Sequence, residues 1–397
     1  MLVEKQHESN SNMNHRQSVA IIGAGIGGLT LAVALHRKGI NAIVYENASE
    51  MKFLGAGLAL AGNAIQSFRA IGLQDEVLAA GKILKKLSIK DHQGRVITTA
   101  DSEYISAKLN IVNNFAVHRA DLHEVLLQQL PQEKLVLGKR AIDFQQHNDS
   151  VLVNFADGTS VEADYIIASD GIHSVFRKKL VQNSEPRYAG YTAWRAVIDQ
   201  SETALNLDET SESWGKGKRF GIVPLSNNRI YWFATMNTGA KNDRLKKYTT
   251  QDLAKEFEDF HLPIPQIIAE TKNEQLIWSD IIDLEPLKKF AFGRIVLMGD
   301  AAHATTPNMG QGACMAIEDA AVLAICMKEE KQIEKAFINF EKRRISRTTK
   351  IVNDSWRLGK VAQLENSILI SLRNTAMRLV PPSIAEKQVK FLNDISF

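Results

Sequence analysis

The six residues Gly23-Ala24-Gly25-Ile26-Gly27-Gly28 set the narrowest limits on how this chain folds. They follow a short apolar run, 18–22, and open a segment, 29–38, that reads as a helix closed by Gly39. Residues 41–45 read as a second buried strand ending at Glu46, so the first ordered stretch is a βαβ unit with parallel strands. Each glycine of the turn has a separate reason to be there. Gly23 permits the tight turn, Gly25 lets the backbone approach a pyrophosphate, and Gly28 lets the helix pack close to the strand. The helix N-terminus carries about half a unit of positive charge and free N–H groups, which favour an anion. Glu46 is placed to accept hydrogen bonds from the ribose hydroxyls of an adenosine half. An adenine dinucleotide is the expectation, against the alternative of a plain glycine-rich turn with a surface glutamate. NAD and FAD share this geometry, so the turn alone does not separate them.

Composition removes several classes. A chain of 397 residues, 45% hydrophobic and 23% charged, is long enough for two domains sharing a core and is unlike disordered or fibrous sequence. Forty-eight basic residues against 45 acidic ones leave a formal charge of +3, with no basic run, which gives no footprint for nucleic acid. Cys314 and Cys326 fall in one expected helix and make neither a disulfide scaffold nor a metal site, so a reducing cytoplasm is the expected compartment and no metal is expected. No run of about 18 apolar residues predicts a transmembrane span. Residues 1–17 are polar, include Glu4 and Glu8, lack the apolar core of a secretory signal, and read as a tail.

Further along, 51–62 is rich in glycine and alanine and reads as a loop, and 63–80 as a helix. Alternating segments within 84–116 suggest strands, and 121–130 a helix after His118-Arg119. A hairpin signal at 151–168 ends in the buried strand 165–168. From 186 to 285 the pattern turns to aromatic and β-branched strands, at 188–198, 220–224 and 229–236, with one helix near 251–260. A buried strand at 294–298 precedes a helix at 312–327, and the remainder is helical apart from Pro381-Pro382.

Two more motifs narrow the cofactor. Gly293-Arg294 through Gly299-Asp300-Ala301-Ala302-His303, followed by Pro307-Asn308-Met309-Gly310-Gln311-Gly312, resembles the second FAD motif of the class A flavoprotein monooxygenases. Residues 164–171, with Asp170, Ser174 and Arg177, resemble that family's middle motif; read alone, they are a strand, a turn and a helix capped by Asp170. All three motifs occur in the family's order and approximate spacing. The nearest-looking members are the urate, 3-hydroxybenzoate and salicylate hydroxylases and the zeaxanthin-epoxidase-like enzymes.

The resemblance implies an α/β fold: a Rossmann-type FAD-binding domain interleaved with a mixed-sheet substrate domain, and a helical C-terminus. The expected division is 18–185 for the first part of the FAD domain, with strands near 84–116 serving the substrate side. Residues 186–285 would form the substrate sheet, 286–345 the second part of the FAD domain, and 346–397 the C-terminal helices. It implies that Asp300 binds the ribityl chain and that Gly310, Gln311 and Gly312 lie beside the flavin ring. A helix opening near Gly312 would turn its positive end towards the N1 and O2 edge of the flavin, where charge gathers on reduction. Arg119 matches the family's arginine at the FAD phosphate and ribityl region, and Ala56 and Gly57, in Gly55-Ala56-Gly57-Leu58, match the loop near the ring. His303 reads as a structural hydrogen-bonding residue.

The family's chemistry is reduction of FAD by NADH or NADPH, reaction with O2 to a C4a-hydroperoxyflavin, and transfer of one oxygen to an electron-rich carbon of a small aromatic or heteroaromatic substrate. A dry pocket is needed for this. By the period of two, the strand near 229–235 sets Tyr231 and Phe233 on one face and Ile230, Trp232 and Ala234 on the other. Arg219 and Tyr231 resemble a catalytic arginine and tyrosine of urate-type hydroxylases, which would orient or help deprotonate the substrate; the alternative is a surface ion pair and a core aromatic. Tyr191, Trp194 and Arg195 are further pocket candidates. Other readings stay open: epoxidation of a lipophilic alkene, a flavin reductase or dehydrogenase, and a non-catalytic flavin-binding paralogue. No Trp-x-Trp arrangement of the halogenases occurs. Residues 361–379 carry apolar side chains at helical spacing with Arg373 and Arg378 among them, which suits packing on the FAD domain or, alternatively, peripheral contact with a membrane. A monomer or homodimer is expected.

Overall fold

The computed structural model describes residues 17–51, 56–199 and 205–397, so the expected polar tail lies, apart from Gln17, outside the described residues. Its first sheet has six strands in the order Ala291–Phe292, Ile295–Leu297, Tyr165–Ala168, Val19–Ile22, Ala42–Tyr45 and Leu135–Val136. All neighbours are parallel except the short edge pair at 291–297. Val19–Ile22 and Tyr165–Ala168 are buried along their whole length, as strands covered on both faces must be. The helices Ile26–Arg37 and Gly312–Glu329 join them in one apolar core.

A second sheet of seven strands runs Ile277–Asp283, Arg187–Asp199, Arg229–Asn237, Lys218–Pro224, Glu209–Trp214, Lys86–Asp91 and Val96–Asp101. It is mixed: Glu209–Trp214 pairs parallel with Lys86–Asp91 and every other pair is antiparallel. Two strands from before the middle motif therefore complete a sheet whose other five follow it. The period of two gives this sheet two different faces. On one, Trp194, Phe220 and Trp232 pack with Phe257, Ile264, Ile267 and Ile268 from the helical segment behind it. Phe220 and Trp232 stack with centroids 5.2 Å apart, and Trp232 Nε1 donates to Thr271 Oγ1 at 2.9 Å, which satisfies the polar end of a buried indole. The opposite face carries Arg219, Tyr231, Phe233, Tyr191 and Arg195, by the register of the three central strands.

Three local expectations need correction. The stretch read as a loop at 51–62 contains the strand Gly57–Ala61, paired antiparallel with Asn114–His118; residues 52–55 lie outside the described residues. A glycine and alanine strand is favoured here by close approach: a Cβ on Gly57 would stand 2.5 Å from the Tyr231 Cβ. The helix expected over 63–80 is two, Gly62–Ala70 and Gln74–Ala79, because Gly72 takes a positive φ of 75° between them. Pro382 does not break the C-terminal helices so much as start the last of them. These are Ile333–Ala362, Ser367–Arg378 and Pro382–Asn393, and proline is tolerated at a first helical position because its missing N–H has no partner there. Among the described residues no helix is long and apolar enough to cross a membrane.

Candidate active site

The glycine turn lies at the C-terminal ends of the parallel strands. Gly23 has φ of 106° and donates its N–H to Tyr45 O at 2.8 Å, fixing the turn to the neighbouring strand. A Cβ on Gly28 would lie 2.0 Å from Gly23 O, so the helix can sit this close only without a side chain. A Cβ on Gly25 would meet no protein atom within 4 Å, which leaves open space in front of the helix N-terminus. Glu46 closes the turn from the side: Oε2 accepts from Ala24 N at 2.7 Å and Oε1 from Ala48 N at 2.8 Å. Each oxygen keeps a lone pair for a further donor.

Asp170 follows the strand beside the turn. Its Oδ2 accepts from Val175 N at 2.9 Å, as a cap does, while Oδ1 is buried with no partner. Burial pushes its carboxyl up, with Ser174, the Val175 N–H and Arg177 opposing. Arg177 is fully buried and donates to the carbonyls of Ser184, Ala301 and Ile172. It braces the backbone of the Asp170 and Asp300 loops and presents no free guanidinium to a ligand.

Gly299 adopts φ 58° and ψ −141°, and Asp300 opens the short helix Asp300–His303. The Asp300 side chain reaches solvent on the open side of the cleft, yet surrounding protein pushes its carboxyl up while His303 and Arg119 pull it down. Arg119 is exposed and starts the helix Arg119–Gln128, and its guanidinium donates to no side chain among the described residues; its backbone N–H donates to Ala56 O at 3.1 Å. The paired strands thus bring Ala56, Gly57 and Arg119 together, with Arg119 close enough to act on Asp300. Gly310, at φ 63°, and Gln311 lead into the helix Gly312–Glu329, and Gln311 is held through Asn63, whose Nδ2 donates to Gln311 Oε1 at 3.0 Å.

That contact is the visible end of a buried ionic cluster. Asn63 Nδ2 also donates to Glu318 Oε2 at 2.9 Å, and Glu318 pairs with both Arg344 and Arg347. Arg344 Nε donates to Asp319 Oδ1 at 2.6 Å, and Asp319 Oδ2 accepts from Gly299 N at 2.8 Å and contacts His303 Nε2 at 2.6 Å. The cluster therefore holds both the Gly299-Asp300 turn and the Gln311 turn. Only His303 of these residues was legible as a structural group; Asn63, Arg344 and Arg347 stand far from the motifs in sequence.

On the sheet face, Arg219 and Tyr231 do not converge. Tyr231 stands opposite Val223, four residues along the strand from Arg219, or roughly 13 Å. Each has another partner. Arg219 lies over the Tyr191 ring, 5.4 Å from its centroid, and donates to Gln363 Oε1 at 2.9 Å, Glu212 Oε1 at 3.0 Å and Asn308 Oδ1 at 2.8 Å. Tyr231 is paired with Arg195; burial raises its phenol and Arg195 opposes the rise. Asn308 also accepts from Tyr191 OH at 2.9 Å, so it ties the loop before Gly310 to the sheet. Trp194 belongs to the packed opposite face. A cavity of about 230 Å³ lies where the sheet meets the Asp300 turn, and its wall includes Arg195, Ser279, Asp280, Asp300, Thr305 and Pro307.

Among the described residues three features fit a dinucleotide: open space before Gly25, a buried unpaired oxygen on Asp170, and a cation without a side-chain partner at Arg119. Known proteins agree. Residues 16–352 match the model of a family described as an FAD binding domain. The chain is 39% identical over 363 residues to the aurachin C monooxygenase/isomerase of Stigmatella aurantiaca, covering 91% of this chain and 94% of that protein. It is 33% identical over 369 residues to the 2-heptyl-3-hydroxy-4(1H)-quinolone synthase of Pseudomonas aeruginosa, covering 92% and 94%. The crystal structure of Klebsiella pneumoniae HpxO complexed with FAD and uric acid has a TM-score of 0.88 to this fold at 28% identity, covering 96% of this chain and 98% of that one.

Proposed function

The chain belongs to the class A FAD-dependent aromatic hydroxylases, and on that premise we propose that this monooxygenase hydroxylates a neutral nitrogen heteroaromatic ring bearing an aliphatic chain, with a 4-quinolone as the best-supported class. The observation that carries this reading is charge balance. Arg219 is matched by Glu212 at 3.0 Å, and Arg195 shares its cavity wall with Asp280 and Asp300. Such a wall holds no surplus positive charge for an anionic substrate, and a buried cation already paired gains little from a second anion. The quinolone synthase relative supports the same class, since its name describes a ring of this kind with a heptyl chain beside the hydroxylated carbon.

In this reading, Gly23, Gly25, Gly28 and Arg119 hold the phosphates of FAD, Glu46 its adenosine ribose, and Asp170 a donor of the cofactor. Asp300 holds the ribityl chain, and Ala56, Gly57, Gly310, Gln311 and Gly312 flank the ring. FAD held there would supply the redox chemistry, with NADH or NADPH as the reductant and O2 as the source of the oxygen atom, its second atom leaving as water. Tyr231 acts as a neutral donor, because its raised phenol stays protonated near neutral pH. It orients a substrate carbonyl and does not serve as a base. Arg219 positions the substrate from the far end of the same face, and Phe233 between them excludes water. The division of labour follows: 18–185 and 286–345 for the cofactor, 186–285 with the strands of 84–116 for the substrate, and 346–397 as closing helices, acting in a reducing cytoplasm.

The test is the anaerobic rate at which NADH and NADPH reduce the bound flavin with 2-heptyl-4(1H)-quinolone, urate or salicylate present. The quinolone is expected to speed reduction by at least about tenfold, equal to 1.4 kcal/mol of barrier, and to gain one oxygen atom in air. Acceleration by urate with an inert quinolone would overturn the substrate class; fast reduction that ignores every compound would point to a reductase.

Charge balance also predicts a change of preference. Glu212→Gln leaves Arg219 without its counter-ion, and binding of salicylate, followed by perturbation of the flavin spectrum, is expected to tighten by about tenfold. Unchanged salicylate affinity would mean that Arg219 does not face the substrate.

A further inference from the structure

The long helix Ile333–Ala362 ends against the strands Lys218–Pro224 and Arg229–Asn237, and the turn that follows it is bound to both. Gln363 Oε1 accepts from Arg219 Nε at 2.9 Å and from Thr235 Oγ1 at 3.3 Å, and Gln363 Nε2 donates to Asn237 Oδ1 at 2.9 Å. In return Asn237 Nδ2 donates to Gln363 O at 3.0 Å, and Gly217 N donates to Leu364 O at 2.9 Å. Ten residues beyond Gln363, Arg373 lies over the Trp214 ring at 4.9 Å and donates to the carbonyls of Val361 and Ala362. Trp214 Nε1 donates at 2.8 Å to Glu212 Oε1, the same atom that accepts from Arg219 Nη1. The C-terminal segment thus reaches Arg219 twice, directly through Gln363 and at one remove from Arg373 through Trp214 and Glu212.

We propose that Gln363 is a positioning residue for the substrate, acting through Arg219, and that the C-terminal segment is thereby part of what selects and orients that substrate. The inference rests on the reading that Arg219 faces the substrate. A guanidinium is a rigid planar fork of N–H donors. Arg219 is buried, and its three nitrogens are held from three distant parts of the chain: Nε by Gln363, Nη1 by Glu212 and Nη2 by Asn308. Three anchors fix a plane, and with it the direction of the N–H groups that remain. Without Gln363 the group keeps its counter-ion but is held at its outer nitrogens alone, and it can tilt about the line joining them. A neutral amide suits the position, because it anchors Nε without adding charge to a wall already balanced by Glu212. Gln363 lies beyond residues 16–352, so the match to the FAD binding domain does not reach it.

The test is the Kd of 2-heptyl-4(1H)-quinolone for the full-length, FAD-loaded protein, read from perturbation of the flavin spectrum. Gln363→Met, similar in length but without the amide, is expected to raise Kd by about tenfold, the worth of one hydrogen bond to a buried charged group. Gln363→Glu keeps an acceptor opposite Nε and should bring Kd back to within about threefold of native. Thr235→Val removes the other donor to Gln363 Oε1, leaves Arg219 its contact, and should bind as native. An unchanged flavin spectrum before the quinolone is added shows that each variant folds and holds FAD. The inference is overturned if Gln363→Met binds as native while Arg219→Lys is weakened. It is overturned equally if Gln363→Glu fails to restore binding, or if Thr235→Val loses as much as Gln363→Met, since either result would reduce Gln363 to packing. Native affinity in Arg219→Lys as well would remove Arg219 from the substrate and the inference with it.

Discussion

Gly25→Ala is expected to leave the apoprotein as stable as the native chain and to raise the Kd for FAD by about a hundredfold, roughly 2.7 kcal/mol. Gly28→Ala, three residues on, is expected to lower the stability of the apoprotein itself by about 3 kcal/mol. The two glycines differ in what a methyl group would meet. At Gly25 it finds no protein atom within 4 Å, so the folded chain does not resist it, and the space it fills is the space before the helix N-terminus. At Gly28 it would lie 2.0 Å from Gly23 O and 2.6 Å from Ser169 Oγ; the first is backbone and cannot swing aside. Thermal unfolding of the stripped proteins and fluorescence titration with FAD separate the two effects. Equal FAD affinity for Gly25→Ala and native protein would remove the pyrophosphate from this turn. An undamaged Gly28→Ala apoprotein would mean that the turn and helix can part without cost.

What could be read from sequence was local. The strand, turn and helix at 18–38 were legible because each glycine answers a constraint within a few residues, and the expected helix 29–38 falls within the observed Ile26–Arg37 but for its last residue. The strands at 165–168 and 229–236 were legible for the same reason, since burial on one or both faces leaves a pattern along the chain. The strand Gly57–Ala61 was not, because glycine and alanine carry no strand pattern of their own and their pairing with Asn114–His118 comes from partners elsewhere. The partners of Arg219 show the same limit at the site. Glu212 is seven residues away, but Asn308 and Gln363 are 89 and 144 residues away, and no spacing announces them. Side-chain identity pointed to arginine and tyrosine; only the fold shows that Arg219 meets Tyr191 and Tyr231 meets Arg195.

Arg344→Met is expected to destabilise the protein by about 3–5 kcal/mol, whereas Arg343→Met, its neighbour on the same helix, should cost under about 1 kcal/mol. Arg343 pairs with Glu329 at 2.9 Å, and Glu329 is half exposed, so water replaces most of what is lost. Arg344 is buried between Glu318 and Asp319, which are fully buried as well. Removing it leaves Glu318 with Arg347 but leaves Asp319 with only the Gly299 N–H and His303. A buried carboxylate short of its cation has its pKa raised in the folded state. The folded chain then holds a proton that the unfolded chain releases, so the deficit deepens as pH rises above the carboxylate range. Loss of packing alone would cost the same at every pH, and denaturation series at two pH values distinguish them. The consequence reaches the cofactor, since Asp319 fixes Gly299 and Glu318 fixes Gln311 through Asn63. FAD affinity should therefore fall in Arg344→Met even where the protein remains folded. A stable Arg344→Met protein with native FAD affinity would mean that the two turns are positioned by the sheet alone.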